Sequence, residues 1–236
     1  MKWTELPMTT FVWSGATILL YFPNRQLHRR VGKWWTSPLM LTPILLVGLA
    51  VELHISYTKY IRATRWLVSL LGAVTVAFAI PIYEQRKMIS ANWKLLTIGL
   101  LVGSVTSVVS AWTLATVLGL NDSVRLSLLP RSISTPFAMS VSDSIGGMPD
   151  LTAVFVALTG VFGAALGEAI IYRLPLRSAL VRGALLGMGA HGAGVATAHS
   201  VGQEEGAIAG LVMVFVGLTN VLVAPLAGGL LKHCGS

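Results

Sequence analysis

A polar segment in the middle of the chain holds the densest group of residues that could bind an anion. It reads Pro130-Arg131-Ser132-Ile133-Ser134-Thr135-Pro136. Proline has no backbone N–H and leaves carbonyl groups without helical partners, so Pro130 and Pro136 predict broken helix. A guanidinium pairs bidentately with a carboxylate, which neighbouring hydroxyls then orient. We therefore expect Arg131, Ser132, Ser134 and Thr135 to bind a small carboxylate. The alternative is that Arg131 anchors at lipid headgroups and the hydroxyls cap a helix.

A glycine-rich segment further along the chain surrounds a lone histidine. It reads Gly187-Met188-Gly189-Ala190-His191-Gly192-Ala193-Gly194. Such a glycine run weakens a helix, and within a membrane it permits an unwound stretch that lines a cavity. We expect breaks at Gly189 and Gly194, with Gly192 contacting substrate and His191 either contacting substrate or carrying a proton. The alternative is small-residue helix packing, with His191 hydrogen-bonded to a neighbouring helix.

Four further residues are candidates for structural or coupling roles. Pro81 predicts a helix break in the apolar stretch 66–83, corresponding to the break expected in the glycine-rich segment. An ordinary proline kink explains Pro81 equally well. Glu168 is the acid most deeply embedded in an apolar stretch, and it is a candidate for ion coupling together with Glu204 and Glu205. Snorkelling of Glu168 near an interface is the alternative.

Other chemistry finds little support in the sequence. The glycine pattern at 187–194 follows no strand and precedes no phosphate-binding lysine, which argues against nucleotides. The five histidines are scattered, Cys234 is the single cysteine, and no serine has a nucleophile-elbow context. We predict no enzymatic activity, no cofactor and no metal. The net charge of +8 lies mainly in short loops, where topology and anionic lipid explain it better than nucleic acid does.

The elements that must position these residues are apolar helices. Hydrophobic residues make up 54% of the chain and charged residues 11%, against about a quarter charged in soluble domains. Apolar stretches lie at about 9–22, 38–55, 66–83, 94–119, 150–172, 179–199 and 206–231. We predict an all-α polytopic membrane protein of about seven crossings. Residues 123–147 are too polar to face lipid and predict a re-entrant or broken segment, with a full crossing left open.

The distribution of basic residues orients these crossings. With the N-terminus periplasmic and the C-terminus cytoplasmic, most Lys and Arg residues, Arg182 among them, fall on the cytoplasmic side of a bacterial inner membrane. Glu204 and Glu205 then fall outside. A full crossing at 123–147 would instead place the basic 173–182 loop outside.

The same topology suggests an inverted repeat within one domain of 1–236. The first half-repeat covers about 38–119, the re-entrant segment 123–147 and the second half about 150–231. Two apolar runs, starting at Leu67 and Leu180, are each interrupted by Gly or Pro and would run in opposite directions. Such discontinuous crossing helices meet near the midplane in antiporter-like transporters and bind substrate with their free ends.

The motifs at 128–160 (LLPRSISTPFAMSVSDSIGGMPDLTAVFVALTG) and 184–207 (ALLGMGAHGAGVATAHSVGQEEGA) are similar to those of the LrgB/CidB family of bacterial membrane proteins. The resemblance covers nearly the whole chain. Arg131 stands where that family usually has lysine, and Ser134 where it has threonine. Ala73 replaces a frequent proline, which weakens the expected first break.

The resemblance implies two functions and a partner. Family members are named as holin- and antiholin-like modulators of murein hydrolases and autolysis, and a related plastid protein transports glycolate and glycerate. They are usually paired with a small LrgA/CidA-like membrane protein. We predict a secondary transporter, or a transport subunit, for a small monocarboxylate of the glycolate, glycerate or pyruvate type. The alternative is a holin/antiholin-like modulator acting by oligomerisation. Small-residue pairs such as Gly160 and Gly163 permit helix contacts, either within the chain or in a homo-oligomer.

Overall fold

The computed structural model describes residues 5–31, 36, 38–77 and 79–234, and all the regular structure in these ranges is helical. The bounds of ten α-helices and of a 3₁₀ turn are described. They are α1 (Glu5–Val31), α2 (Pro38–Glu52), α3 (Tyr57–Ala77), α4 (Ala79–Glu84), α5 (Arg86–Val117), α6 (Asp122–Leu128), the 3₁₀ turn (Leu129–Ser132), α7 (Thr135–Ile145), α8 (Pro149–Arg173), α9 (Ala179–Val201) and α10 (Gln203–Cys234).

The chain divides into two compact units, Met1–Val76 and Ala77–Ser236. In the first unit, polar contacts join the helices: Asn24 Nδ2 donates to Thr42 Oγ1 at 3.0 Å, and Trp66 Nε1 donates to Ser14 Oγ at 2.8 Å. All the residues of the predicted site, Pro81 included, belong to the second unit. The two half-repeats predicted from the sequence stay a prediction.

Three helices of the described chain are long and apolar enough to cross a membrane: α5, α8 and the Gln203–Ala224 part of α10. They all belong to the second unit. The membrane character of the protein is thus supported, while the predicted total of seven crossings is not confirmed. Pro81 lies inside the short helix α4. Residue 78, between α3 and α4, lies outside the described residues.

Residues 122–145 form a hairpin, here called the first hairpin, whose two arms both end beside the start of α8. Its outward arm is α6 with the 3₁₀ turn, and its return arm is α7. Thr152 Oγ1 in α8 lies 2.9 Å from the carbonyl of Ser127 and 2.7 Å from Ser142 Oγ, and Met148 N donates to Ser127 Oγ at 2.7 Å. Both arms are therefore fixed at the same end of α8, as expected for the re-entrant version of the prediction.

Helix α9 also folds back on itself, and this corrects the expectation that 179–199 crosses the membrane. His191 has φ 38° and ψ −120°, which breaks the helix between two arms, 179–190 and 192–201. A side chain at Gly194 would collide with the carbonyl of Leu186 in the opposite arm. The arms therefore pack side by side. We call this the second hairpin, with its tip at His191.

The two ends of the second hairpin lie close together. Arg182, in the first turn of α9, forms an ion pair with Glu205, in the first turn of α10, with Nε 3.0 Å from Oε1. A straight α9 would separate these turns by about 30 Å at 1.5 Å per residue. The sequence-based topology had placed Arg182 and Glu205 on opposite sides of the membrane, and that placement is wrong. An apolar run of this length fits either a crossing or two short arms, and the long-range pairing decides between them.

The register of the close contacts fixes the direction of each arm. Along the first arm, Gly163 of α8 meets the Gly189 carbonyl and Gly167 meets Leu186, so this arm runs antiparallel to α8. In the return arm, His199 packs on Gly206, which makes that arm antiparallel to α10. The first hairpin starts at the N-terminal end of α8 and the second at its C-terminal end. Their tips point toward each other.

Candidate functional site

The tips of the two hairpins meet halfway along α8. His191 lies beside the backbone of Arg131 in the first hairpin. A Cβ at Gly160 of α8 would lie 2.9 Å from the imidazole Cε1, so the missing side chain makes room for the ring. Gly160 is near the middle of the 25-residue helix Pro149–Arg173. The two predicted segments, 130–136 and 187–194, therefore meet near the middle of α8.

His191 occupies a strained backbone conformation at the tip. A positive φ at a residue other than glycine costs about 1–3 kcal/mol and persists where the surroundings enforce it. His191 is 5% exposed, and its Nε2 has no hydrogen-bond partner. Strain together with an unsatisfied polar atom marks this histidine as a functional candidate, because buried polar groups are normally hydrogen-bonded.

Ser134 provides a second unsatisfied polar atom, at the tip of the first hairpin. It is the N-cap residue of α7, with φ −64° and ψ 148°, but its hydroxyl caps no backbone N–H. Its side chain is 7% exposed and Oγ has no partner. The third such atom in the described chain, Arg125 Nε, belongs to a guanidinium that already donates to Leu120 O and stacks on Trp112. Ser134 and His191 are therefore the unsatisfied pair at the tips.

The tips also present two helix starts. α7 begins at Thr135 with Pro136 in its first turn, and the return arm of α9 begins after His191. The first N–H groups of a helix have no partner within it, and the positive end of the helix dipole lies there. Pro136 and Pro130 lie at the predicted break, with Pro130 buried in the 3₁₀ turn. The predicted interruption of the helix at 130–136 agrees with the structure.

The remaining predicted binding residues differ in their surroundings. Arg131, Ser132 and Thr135 are partly buried at the first tip. Among the described residues, the guanidinium of Arg131 has no ion pair or hydrogen bond. In the second hairpin, Gly192 is exposed, and neither Gly189 nor Gly192 has an atom within 4 Å of the position where a Cβ would stand. The break falls at His191 itself, not at the predicted positions Gly189 and Gly194.

The predicted coupling residues lie away from the tips. Glu168 is exposed on α8 and Glu204 is exposed on α10. Glu205 is buried and paired with Arg182, which also donates to the Leu176 carbonyl at 2.7 Å. This pair ties the base of the second hairpin to α10. The side chain of Pro81 lies outside the described residues, and its predicted meeting with the tips stays untested.

Two parts of the site escaped the sequence-based reasoning. The sequence predicts only helix contacts for Gly160, whereas its position leaves room for the imidazole of His191. The sequence also gives no indication that the hydroxyls of Ser127, Ser142 and Thr152, all fully buried, form a group. The spacing of Gly160, Gly163 and Gly167 places them on one helical face and was the available signal. No local pattern joins the three hydroxyls, because they come from three different helices.

Comparison with known proteins gives a consistent result over most of the chain. Residues 17–230 match the model of the LrgB-like family. The uncharacterized protein YwbG of Bacillus subtilis is 36% identical over 209 residues, covering 89% of this chain and 93% of that protein. An antiholin-like protein LrgB of Bacillus mycoides is 30% identical, covering 80% and 83% respectively. A holin-like protein CidB of Staphylococcus epidermidis is 26% identical, covering 89% and 92%. No solved structure matches the chain.

Proposed function

Since the chain belongs to the LrgB-like family, we propose that it carries a small monocarboxylate across the bacterial inner membrane, at the junction of the two hairpin tips. One observation carries this proposal: Ser134 Oγ and His191 Nε2 are both buried and both lack a hydrogen-bond partner. Such groups cost free energy when unsatisfied, typically about 1–3 kcal/mol each. A polar solute that enters the junction would supply the missing partners.

The chemistry of the junction suits an anion of the glycolate, glycerate or pyruvate type. The Ser134 hydroxyl and the free N–H groups at the start of α7 are donors, and helix N-termini favour negative charge. The unpaired guanidinium of Arg131 balances the charge of the carboxylate. His191 donates or accepts through Nε2, depending on its protonation state. Secondary transporters bind substrate in this manner, at helix breaks near the midplane.

The geometry of the hairpins suits a site that opens alternately to the two sides. The first arm of α9 has 12 residues, about 18 Å, and is too short for a hydrocarbon core of about 30 Å. Each hairpin therefore closes the junction from one side only. Residues 122–173 and 179–224 each consist of a hairpin followed by a long helix, and the two hairpins point in opposite directions. This supports an inverted repeat of these two segments. Its bounds differ from those of the half-repeats predicted from the sequence.

A second candidate function follows from the names of the relatives, two of which are called holin-like and antiholin-like. In that case the chain modulates murein hydrolase activity and autolysis by assembling with other copies or with a small LrgA/CidA-like membrane protein. The helix α5 offers a surface for assembly, since only 6% of its most apolar window is buried within the chain. The relatives' names favour this candidate, and the hairpin junction favours transport.

Reconstitution into vesicles separates the two candidates. For transport, purified protein should take up labelled glycolate or pyruvate down an imposed gradient, with or without the LrgA/CidA-like partner, while a trapped dye stays inside. Ser134→Ala and His191→Gln should lose uptake, and the exposed residues Ser140→Ala and His54→Gln serve as matched controls. Dye release without selective uptake would reject the transport proposal in favour of membrane lesions.

A further inference from the structure

A cleft of about 350 Å³ lies between α4, the return arm of α9 and α10, outside the hairpin junction. Its polar lining consists of Glu84, Gln85 and His199, and its apolar lining includes Val195, Met213 and Val214. Its volume is within the range of small-molecule sites. None of the polar lining residues has a role in the proposed binding of the carboxylate.

The cleft runs from the base of the second hairpin to the level of its tip. The return arm pairs antiparallel with α10, so that His199 packs on Gly206 and, one turn on, Val195 lies near Gly210. One more turn in the same register places Val214 level with His191. Because His199 and Val214 both line the cleft, it spans the length of this arm. Val195 lies four residues after His191, about one turn into the return arm.

The charge of the cleft favours cations over anions. Glu84 is the acidic residue of the lining, and none of the described residues that line the cleft is a lysine or arginine. The guanidinium of Arg86 is held at Tyr83, donating to its carbonyl at 3.0 Å and stacking on its ring. Arg182 is neutralised by Glu205. The described lining thus carries one acidic side chain and no Lys or Arg, which favours a small cation over a carboxylate within the cleft.

We propose that the cleft is a water-filled vestibule that admits small hydrated cations, hydronium included, to the level of His191, with Glu84 and His199 at its polar end. Its part in coupling rests on the proposed transport function. The vestibule gives the coupling cation a route separate from that of the carboxylate. Its charge preference can be measured without any transported substrate.

Cysteine labelling in membranes tests the proposal. In a Cys234→Ser background, which removes the single cysteine, Val195→Cys is treated with cationic and anionic methanethiosulfonates of similar size. We expect faster reaction with the cationic reagent by about tenfold, as one nearby carboxylate produces in a partly aqueous site. Glu84→Gln should reduce this ratio to near one. The matched control Asp150→Asn, an exposed acid outside the cleft, should leave it unchanged.

Two outcomes overturn the proposal. One is a Val195→Cys protein that reacts with neither reagent in membranes although it is labelled after denaturation, which means that water does not reach the cleft. The other is a charge preference that survives Glu84→Gln. If the preference is present and depends on Glu84 while carboxylate uptake is absent, the vestibule stands and the transport proposal fails.

Discussion

The ion pair between Arg182 and Glu205 is predicted to hold the second hairpin in its folded-back form. Glu205→Gln keeps the size of the side chain and removes its charge. The carboxylate is 8% exposed and the guanidinium 24% exposed, so the remaining cation would be largely buried without a counter-charge. Breaking a buried pair by removing one partner costs about 3–5 kcal/mol. Arg182 keeps its bond to Leu176 O and some access to water, so we expect about 2–4 kcal/mol.

The assay for this prediction has two parts. Unfolding in mixed detergent micelles measures the loss of stability in Glu205→Gln, Arg182→Gln and the double variant. Because the double variant leaves no uncompensated charge, it should be more stable than the sum of the two single losses implies, by about 1–3 kcal/mol. A cysteine at Gly192, where a side chain meets no atom within 4 Å, should react faster with a water-soluble reagent in each single variant.

Strict additivity of the two substitutions would refute the reasoning, because it would mean that the two side chains do not interact. A loss below about 0.5 kcal/mol in Glu205→Gln would do the same, since that is the range of ordinary surface substitutions. Glu204→Gln provides the control, as the neighbouring acid is exposed and should change neither stability nor labelling.

Three other substitutions test the packing of the two hairpins. Gly160→Ala should displace the imidazole of His191, whose Cε1 would lie 2.9 Å from the new Cβ, and should lower carboxylate uptake at least tenfold while the protein still purifies as a folded species. Gly194→Ala should prevent folding of the second hairpin, because its Cβ would strike the opposite arm, whereas Gly192→Ala in open space should keep full yield in a detergent size-exclusion assay. Thr152→Val should destabilise the protein by about 1–3 kcal/mol in micelle unfolding, since it leaves two fully buried serine groups unsatisfied.

The first hairpin could be predicted from the sequence because its determinants are local. Pro130 and Pro136 interrupt any helix in which they lie, whatever surrounds them, and the polar residues between them cannot face lipid. A segment of this kind must fold back or line a cavity. The all-helical fold followed from composition in the same way. The sequence does not predict which side chains of 130–136 are buried. Ser134 and Arg131 differ in exposure because of their contacts with distant helices.

The second hairpin could be predicted only in part, because its determinants are distant. The glycine run indicated a break near His191, and the break occurs there. Whether the chain continues or returns after the break depends on Arg182 finding Glu205 and on Gly183 fitting against the Glu205 carbonyl, where a Cβ would lie at 2.7 Å. These contacts join residues more than 20 positions apart and leave no periodic signal. A pair of opposite charges at the two ends of an apolar run, such as Arg182 and Glu205, is the sequence pattern that indicates a hairpin of this kind.

The folded-back α9 also changes the expected topology of the second unit. With two crossings after residue 173, the loop 174–178 and the end of α10 would lie on the same side of the membrane. With α10 as the single crossing in that stretch, they lie on opposite sides, and Glu205 joins the side of Arg177. An impermeant maleimide applied to right-side-out and inverted vesicles measures this, using Cys234 for one side and Arg177→Cys with Cys234→Ser for the other. Labelling of both cysteines from the same side would mean that α9 crosses after all, and the ion pair between Arg182 and Glu205 could not form.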